Sequence, residues 1–148
     1  MPDWVWRSFE ELSADELYDI LALRQTVFVV EQNCAYLDAD GVDRRSRHLY
    51  TRDDAGLMVA YLRLVEPGVK YAEPSIGRVI THPSVRRTGL GRELMAEGLR
   101  GADEHYPGAG IRIGAQKWAE SFYRSLGFES VGHEFIEDDI PHVEMLRR

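Results

Sequence analysis

A single cysteine, Cys34, is all the sequence contains, which excludes an internal disulfide and any fold that depends on one. The five histidines, His48, His82, His105, His133 and His142, show no paired metal-ligand spacing, so no metal is expected. No window approaches the apolar run a bilayer span requires, and the opening MPDWVWRSFEEL places no basic segment ahead of an apolar one. A cytoplasmic protein with no membrane partner is expected. Positive charge is scarce too: 18 Lys and Arg against 25 Asp and Glu leave a formal net charge of -7. That balance has the wrong sign for docking on a phosphate backbone, so nucleic acid is not an expected partner. Repeats and low-complexity tracts are also absent.

What is present is enough for one domain, residues 1–148, to bury its own core. Ser13-Ala14-Asp15-Glu16 matches a capping box, in which a serine hydroxyl and a glutamate carboxylate satisfy opposing backbone donors, so a helix begins near Ala14. Leu17, Ile20, Leu21, Val27 and Phe28 form its buried stripe. Arg24 falls on the same stripe. Either its stem packs and its head meets a carboxylate, or it anchors a substrate; packing is the preferred reading. His48 to Tyr50 and Met58 to Val65 read as strands, the second with Met58, Ala60, Leu62 and Leu64 on one face. Ser75 to Thr81 and Ile111 to Ala115 are further strands, each followed by a helix, and Ser130 to Ile136 and His142 to Leu146 close the chain. This order predicts an α/β fold: a twisted mixed sheet with helices on both faces.

The basic residues are grouped, and Arg86, Arg87 and Arg92 surround Arg86-Arg87-Thr88-Gly89-Leu90-Gly91, between a strand and a helix. Glycines let the backbone turn tightly, and the free N–H groups at a helix start attract a pyrophosphate. A Walker loop is excluded because no Gly-Lys-Ser/Thr follows, and Gly89-Leu90-Gly91-Arg92-Glu93-Leu94 lacks the third glycine of a dinucleotide fingerprint.

Arg86-x-x-Gly89-x-Gly91 after Ile76–Thr81 resembles the acyl-CoA loop of GNAT N-acetyltransferases, and Phe122-Tyr123-x-x-x-Gly127-Phe128 resembles their second signature. Leu23-Arg24-x-x-Val27-Phe28-Val29-Val30-Glu31-Gln32, Asp40-Gly41-x-Asp43, His48-Leu49, Gly77-Arg78-Val79, Ala115-Gln116 and Glu137-Asp138-x-Ile140-Pro141-His142 extend the resemblance to the ElaA-like branch. Asp139 departs from that branch, which usually has glycine there. The resemblance implies a GNAT fold in which the strands at Ile76–Thr81 and Ile111–Ala115 splay apart. It also implies acetyl-CoA as cosubstrate and a small-molecule or peptide amine as acceptor, in a monomer or a homodimer. Val79, Ile80 and Thr81 would pair with the pantetheine arm. Backbone amides of Arg87, Thr88, Gly89, Leu90 and Gly91, with Arg86 and Arg92 nearby and Gln116 across the cleft, would hold the rest of the cofactor. Phe28, Gln32, His48 and Glu137 would face the acceptor.

Tyr123 is the expected general acid, because the departing thiolate has a conjugate acid of pKa roughly 8.5 and a poised phenol can protonate it. An amine of pKa about 10.4 must also lose a proton. Glu31 is the first candidate base and His142 the second, with Glu137 and His48 behind them; a backbone carbonyl can substitute, and the N–H of Val79 can stabilise the oxyanion. Asp38, Asp40 and Asp43, with Glu137, Asp138 and Asp139, either steer a cationic amine or form a solvated loop surface. Cys34 is expected to be a small buried apolar group, not a nucleophile. Two other readings stand beside the leading one. Arg24-x-x-Val27-Phe28 with Asp40-x-x-Asp43 resembles acyl-homoserine-lactone synthases, and a non-catalytic acyl-CoA sensor would share the same loop.

Overall fold

A computed structural model describes residues 2–148. In chain order these form β1 (Val5–Ser8), α1 (Ala14–Arg24), β2 (Ser46–Arg52), β3 (Met58–Val65), β4 (Ser75–Thr81), α2 (Leu90–His105), β5 (Ile111–Gln116), α3 (Glu120–Arg124), β6 (Glu129–Glu137) and β7 (Ile140–Arg147). The capping box is present: Ser13 Oγ accepts from the Glu16 amide at 3.0 Å, and the Glu16 carboxylate accepts from the Ser13 amide at 2.9 Å.

All the recorded ladders are antiparallel. They build a four-stranded sheet, β1-β2-β3-β4, and a three-stranded sheet, β5-β7-β6. β4 and β5 lie side by side, yet one backbone bond, from the Arg112 amide to the Pro74 carbonyl at 3.1 Å, joins them at their roots. The sheet thus parts between these two strands, where the resemblance places the splay.

Helices cover both faces of the larger sheet. Ile20 and Leu23 of α1 pack with Tyr50, Tyr61 and Ile80 on one face, while Leu94, Met95 and Leu99 of α2 pack with Leu49, Ala60, Leu62 and Leu64 on the other. All 8 residues of β3 are buried, as a strand covered on both faces requires. Each fully buried aliphatic side chain stabilises the fold by roughly 1.5–3 kcal/mol. Gly98 brings α2 close to β3: a Cβ there would lie 2.7 Å from Leu62 Cδ2. A side chain there would have to displace Leu62 from the core, which opposes the roughly 1 kcal/mol that alanine gains over glycine in mid-helix.

Two sequence expectations are corrected. Met58 sits in the α1-side core, not with Ala60 and Leu62, because Thr51 pairs with Ala60 and Arg52 with Met58, leaving Val59 as a bulge that flips the strand's facing. The first helix also leaves α geometry at Arg24 and continues as a π-helical stretch, Gln25–Glu31. Thr26, Val27, Val29 and Val30, all β-branched, crowd a tight helical turn there.

Asp38, Asp40 and Asp43 are neither a steering patch nor a solvated loop. Arg24, wholly buried, donates to Asp38 and Asp43, each at 2.7 Å. Arg63, also buried, binds Asp40 at 2.7 Å and Asp43 at 2.9 Å, and Arg78 binds Asp38 at 2.8 Å. Burial would raise the carboxylate pKa values, but hydrogen bonds from Arg63 to Asp40 and the charges of Arg24 and Arg63 beside Asp43 win, holding both below the usual range. The reading of Arg24 as a packed arginine with a paired head agrees with this cluster.

Candidate active site

A cleft of about 710 Å³ opens where β4 and β5 separate. Its walls come from the π-helical stretch, β4, β5, α3, the loop before α2 and the β6–β7 hairpin.

At one region of the lining the chain turns from β4 into α2. Arg87 (φ 65°) and Gly89 (φ 87°) adopt left-handed conformations, and Gly89 caps the helix without a side-chain hydrogen bond. The first-turn amides of this 16-residue helix are thus free of side-chain caps, the arrangement that binds anions. Gly91 lies against the end of β4, where a Cβ would stand 3.7 Å from Thr81 Cγ2. Thr88 and Leu90 lie outside the lining: the Thr88 hydroxyl bonds the Val85 carbonyl at 2.5 Å, and Leu90 packs on the core. Arg92 stacks over Phe122 with its Cζ 5.3 Å from the ring centroid.

Arg86 and Glu31, expected to serve different substrates, bind each other. Two hydrogen bonds of 2.6 Å join the guanidinium to both carboxylate oxygens. Those bonds hold the Glu31 carboxyl below the usual range, so it is a weak base in this arrangement. Of the two leading base candidates, Glu31 is thus engaged by Arg86, whereas His142 lies outside that pair.

His142 lies opposite Gln116 in the β5–β7 register, is 7% exposed and lines the cleft. Its Nδ1–H donates to the Ile140 carbonyl at 2.7 Å. A carbonyl only accepts, so this bond fixes the tautomer and leaves the lone pair on Nε2. Nε2 stands 3.8 Å from Glu137 Oε2, and the ring stacks on Phe135 at 5.4 Å between centroids.

Tyr123 packs edge-to-face against Phe122 (5.3 Å) and Phe128 (5.8 Å) and lines the cleft. Burial alone pushes its phenol up to about 12. In the same lining, a reciprocal amide pair, Gln32 to Gln116 at 3.1 Å and Gln116 to Gln32 at 3.3 Å, joins the end of the π-helical stretch to β5, and Trp118 Nε1 donates to Gln116 Oε1 at 2.5 Å. Val79, Ile80, Thr81, Phe28 and Glu137 also line the cleft.

β4 carries a bulge at the same place. Gly77 pairs with Arg63 and Ile80 with Tyr61, so Arg78 and Val79 oppose Leu62 alone. Arg78 is left-handed (φ 50°), with its side chain held by Asp38 and its Cζ 5.9 Å from the Phe28 centroid.

His48 does not belong to the site. It is completely buried, its Nε2–H donates to the Asp43 carbonyl at 2.9 Å, and its Nδ1 accepts from the Tyr61 hydroxyl at 2.6 Å. Burial lowers its pKa, so it is a neutral structural group, away from the cleft lining. Cys34 is half-buried, its thiol 3.3 Å from the Asp138 carbonyl. Arg78, within Gly77-Arg78-Val79, also lines the cleft, as do Lys70, Trp118 and Tyr36, which no motif in the sequence marks. Among the described residues, no cluster of His, Cys, Asp or Glu is placed to hold a metal ion, and no helix is long and apolar enough to cross a membrane.

The divided sheet, the anion-ready helix start and the cleft between them define an acyl-CoA N-acyltransferase fold. Residues 24–148 match the family described as an acetyltransferase (GNAT) domain, and the chain belongs to that family. Membership implies acyl transfer from acyl-CoA to an amine. Among curated relatives, a UPF0039 protein of Synechocystis sp. is 42% identical over 146 residues, covering 99% of this chain and 95% of its own. The ElaA protein of Escherichia coli is 38% identical over 151 residues, covering 99% and 97%. Its crystal structure superposes with a TM-score of 0.93 over 100% of both chains, at 37% identity. An acyl-CoA N-acyltransferase from Pseudomonas aeruginosa gives 0.95, also at 37% identity and 100% of both chains.

Proposed function

We propose that this protein transfers an acetyl group from acetyl-CoA to a primary amine by direct attack in a ternary complex. Amides of residues 87–91 grip the diphosphate, with Arg86 and Arg92 flanking it. The edge of β4 at Val79–Thr81 receives the pantetheine arm as an added strand would, because beyond the root no other strand pairs with that edge. His142 Nε2, with its lone pair fixed by the Ile140 contact, takes a proton from the amine. The amine nitrogen bonds to the thioester carbon, the carbon–sulfur bond breaks, and Tyr123 gives its proton to the leaving sulfur. A group that stays protonated to about 12 is an available acid throughout the neutral range.

The carrying observation is Tyr123: it lines the same cleft as Arg86, Arg87, Gly89 and Gly91 of the loop before α2, and burial, with no hydrogen bond from a described residue, is what shifts its phenol. Thiol release from acetyl-CoA, measured with a panel of amines, tests the proposal. Tyr123→Phe should lower kcat about 10²- to 10⁴-fold while leaving the Kd for CoA near wild type. Wild-type rates in Tyr123→Phe would remove the acid from the mechanism. CoA binding with no turnover on any amine would instead indicate a sensor.

A further inference from the structure

The acceptor end of the cleft has an uneven charge arrangement. Three cations contribute to it, Arg63, Arg78 and Lys70, all on the cleft lining. Two are already matched: Arg63 by Asp40 and Asp43, and Arg78 by Asp38. Lys70, on the loop between β3 and β4, has no carboxylate within ion-pair distance among the described residues. Glu137 is near enough to act on Lys70 through its charge but is not paired with it. On its other side Glu137 stands 3.8 Å from His142 Nε2, the atom assigned to take the amine proton. One region thus presents an uncommitted ammonium, and beside it a carboxylate and imidazole suited to an amine.

We infer that the acceptor is an amino-carboxylate, of which amino acids are the simplest examples, with Lys70 binding its carboxylate while Glu137 and His142 receive its amine. This rests on the acyl-transfer reading above. Of the three cations at this end, Lys70 alone has no carboxylate within ion-pair distance among the described residues, and one such charge selects a monoanion. A phosphate dianion would need a second cation, and the neighbouring guanidiniums are committed to the aspartates. A polyamine is disfavoured because a second ammonium would lie against Lys70. Lys70 is solvent-exposed and so open to an arriving anion; loss of hydration against the cleft wall and the charge of Arg63 lower its pKa, while Glu137 and Asp40 oppose that shift.

The test compares matched acceptors, an amino acid series against the corresponding carboxamides and decarboxylated amines, with acetyl-CoA as donor. Wild type should favour the free carboxylate roughly ten- to a hundred-fold in kcat/KM, the range expected for a hydrogen bond to a charged group. Lys70→Gln should erase that preference, mainly through KM for the acid. Lys70→Arg, which keeps the charge, should retain most of it, and Lys70→Glu should invert it. Thermal unfolding of each variant separates lost folding from lost selectivity. Turnover of amines without any preference for the acid, or a preference that survives Lys70→Gln, overturns the inference and leaves acyl transfer standing. CoA binding with no amine turned over overturns both.

Discussion

His48 and His142 differ in what their ring nitrogens meet. Both nitrogens of His48 are used inside the core, whereas His142 spends one on a carbonyl and turns the other to the cleft. The consequence for His48 is a pH dependence of stability. Its folded pKa lies below the unfolded value of about 6.5, so the unfolded chain binds more protons as the pH drops. Its stabilising contribution is complete above that unfolded value and is lost as the pH falls toward the folded one. Urea unfolding between pH 7.5 and 5 should show this decline. His48→Gln should be less stable by about 1–2 kcal/mol at pH 7.5 and show a shallower slope. The sequence flagged both histidines because either fits a general base. Burial separates them, and it arises from β2 pairing with β3, a contact no local pattern reports.

Among the elements, the β6–β7 hairpin shows how one residue sets a turn. Glu137 pairs with Ile140, and the two residues between them, Asp138 (φ 50°) and Asp139 (φ 62°), are both left-handed. A two-residue loop with both positions left-handed is a type I′ turn, which favours Asp-Gly. Asp139→Gly should therefore stabilise the protein by about 0.5–1 kcal/mol, read as a rise of roughly 2 °C in Tm. Asp139→Ala should lower it. The sequence marked Asp139 as a departure, and the backbone supplies the physical reason. Most strands and the loop before α2 were legible from alternation, caps and glycines. β1 and the π-helical stretch were not. The first is short and half-exposed, and the second keeps the same apolar spacing as an ordinary helix.

Across the molecule, the buried ion cluster joins α1, β3, β4 and the segment at residues 38–43 into one unit. Removing one partner leaves the others charged and unmatched in a poorly solvated place. Arg24→Met should cost about 3–5 kcal/mol in chemical denaturation, far more than loss of the exposed Arg100–Glu104 pair. Asp40 and Asp43 have folded pKa values below the unfolded carboxylate value of about 3.9. Their contribution is present above that pH and lost as acid takes it through the folded values, so acid unfolding should set in below about pH 4. The sequence allowed a carboxylate for Arg24, but its partners stand 14 and 19 residues away, Asp38 in a loop and Asp43 in a 3-10 turn, beyond the periodicity of the helix that carries Arg24.

The lone bond between Arg112 and Pro74 has a further consequence for deuterium uptake. Past that pivot, alternate amides of β4 point away from β3 and have no neighbouring strand to shield them. In peptide-resolved exchange, the segment from Gly77 to Thr81 should label in two populations, one slow within the ladder and one fast. Addition of CoA should slow the fast population alone, while the labelling of β2 and β3 stays as it was.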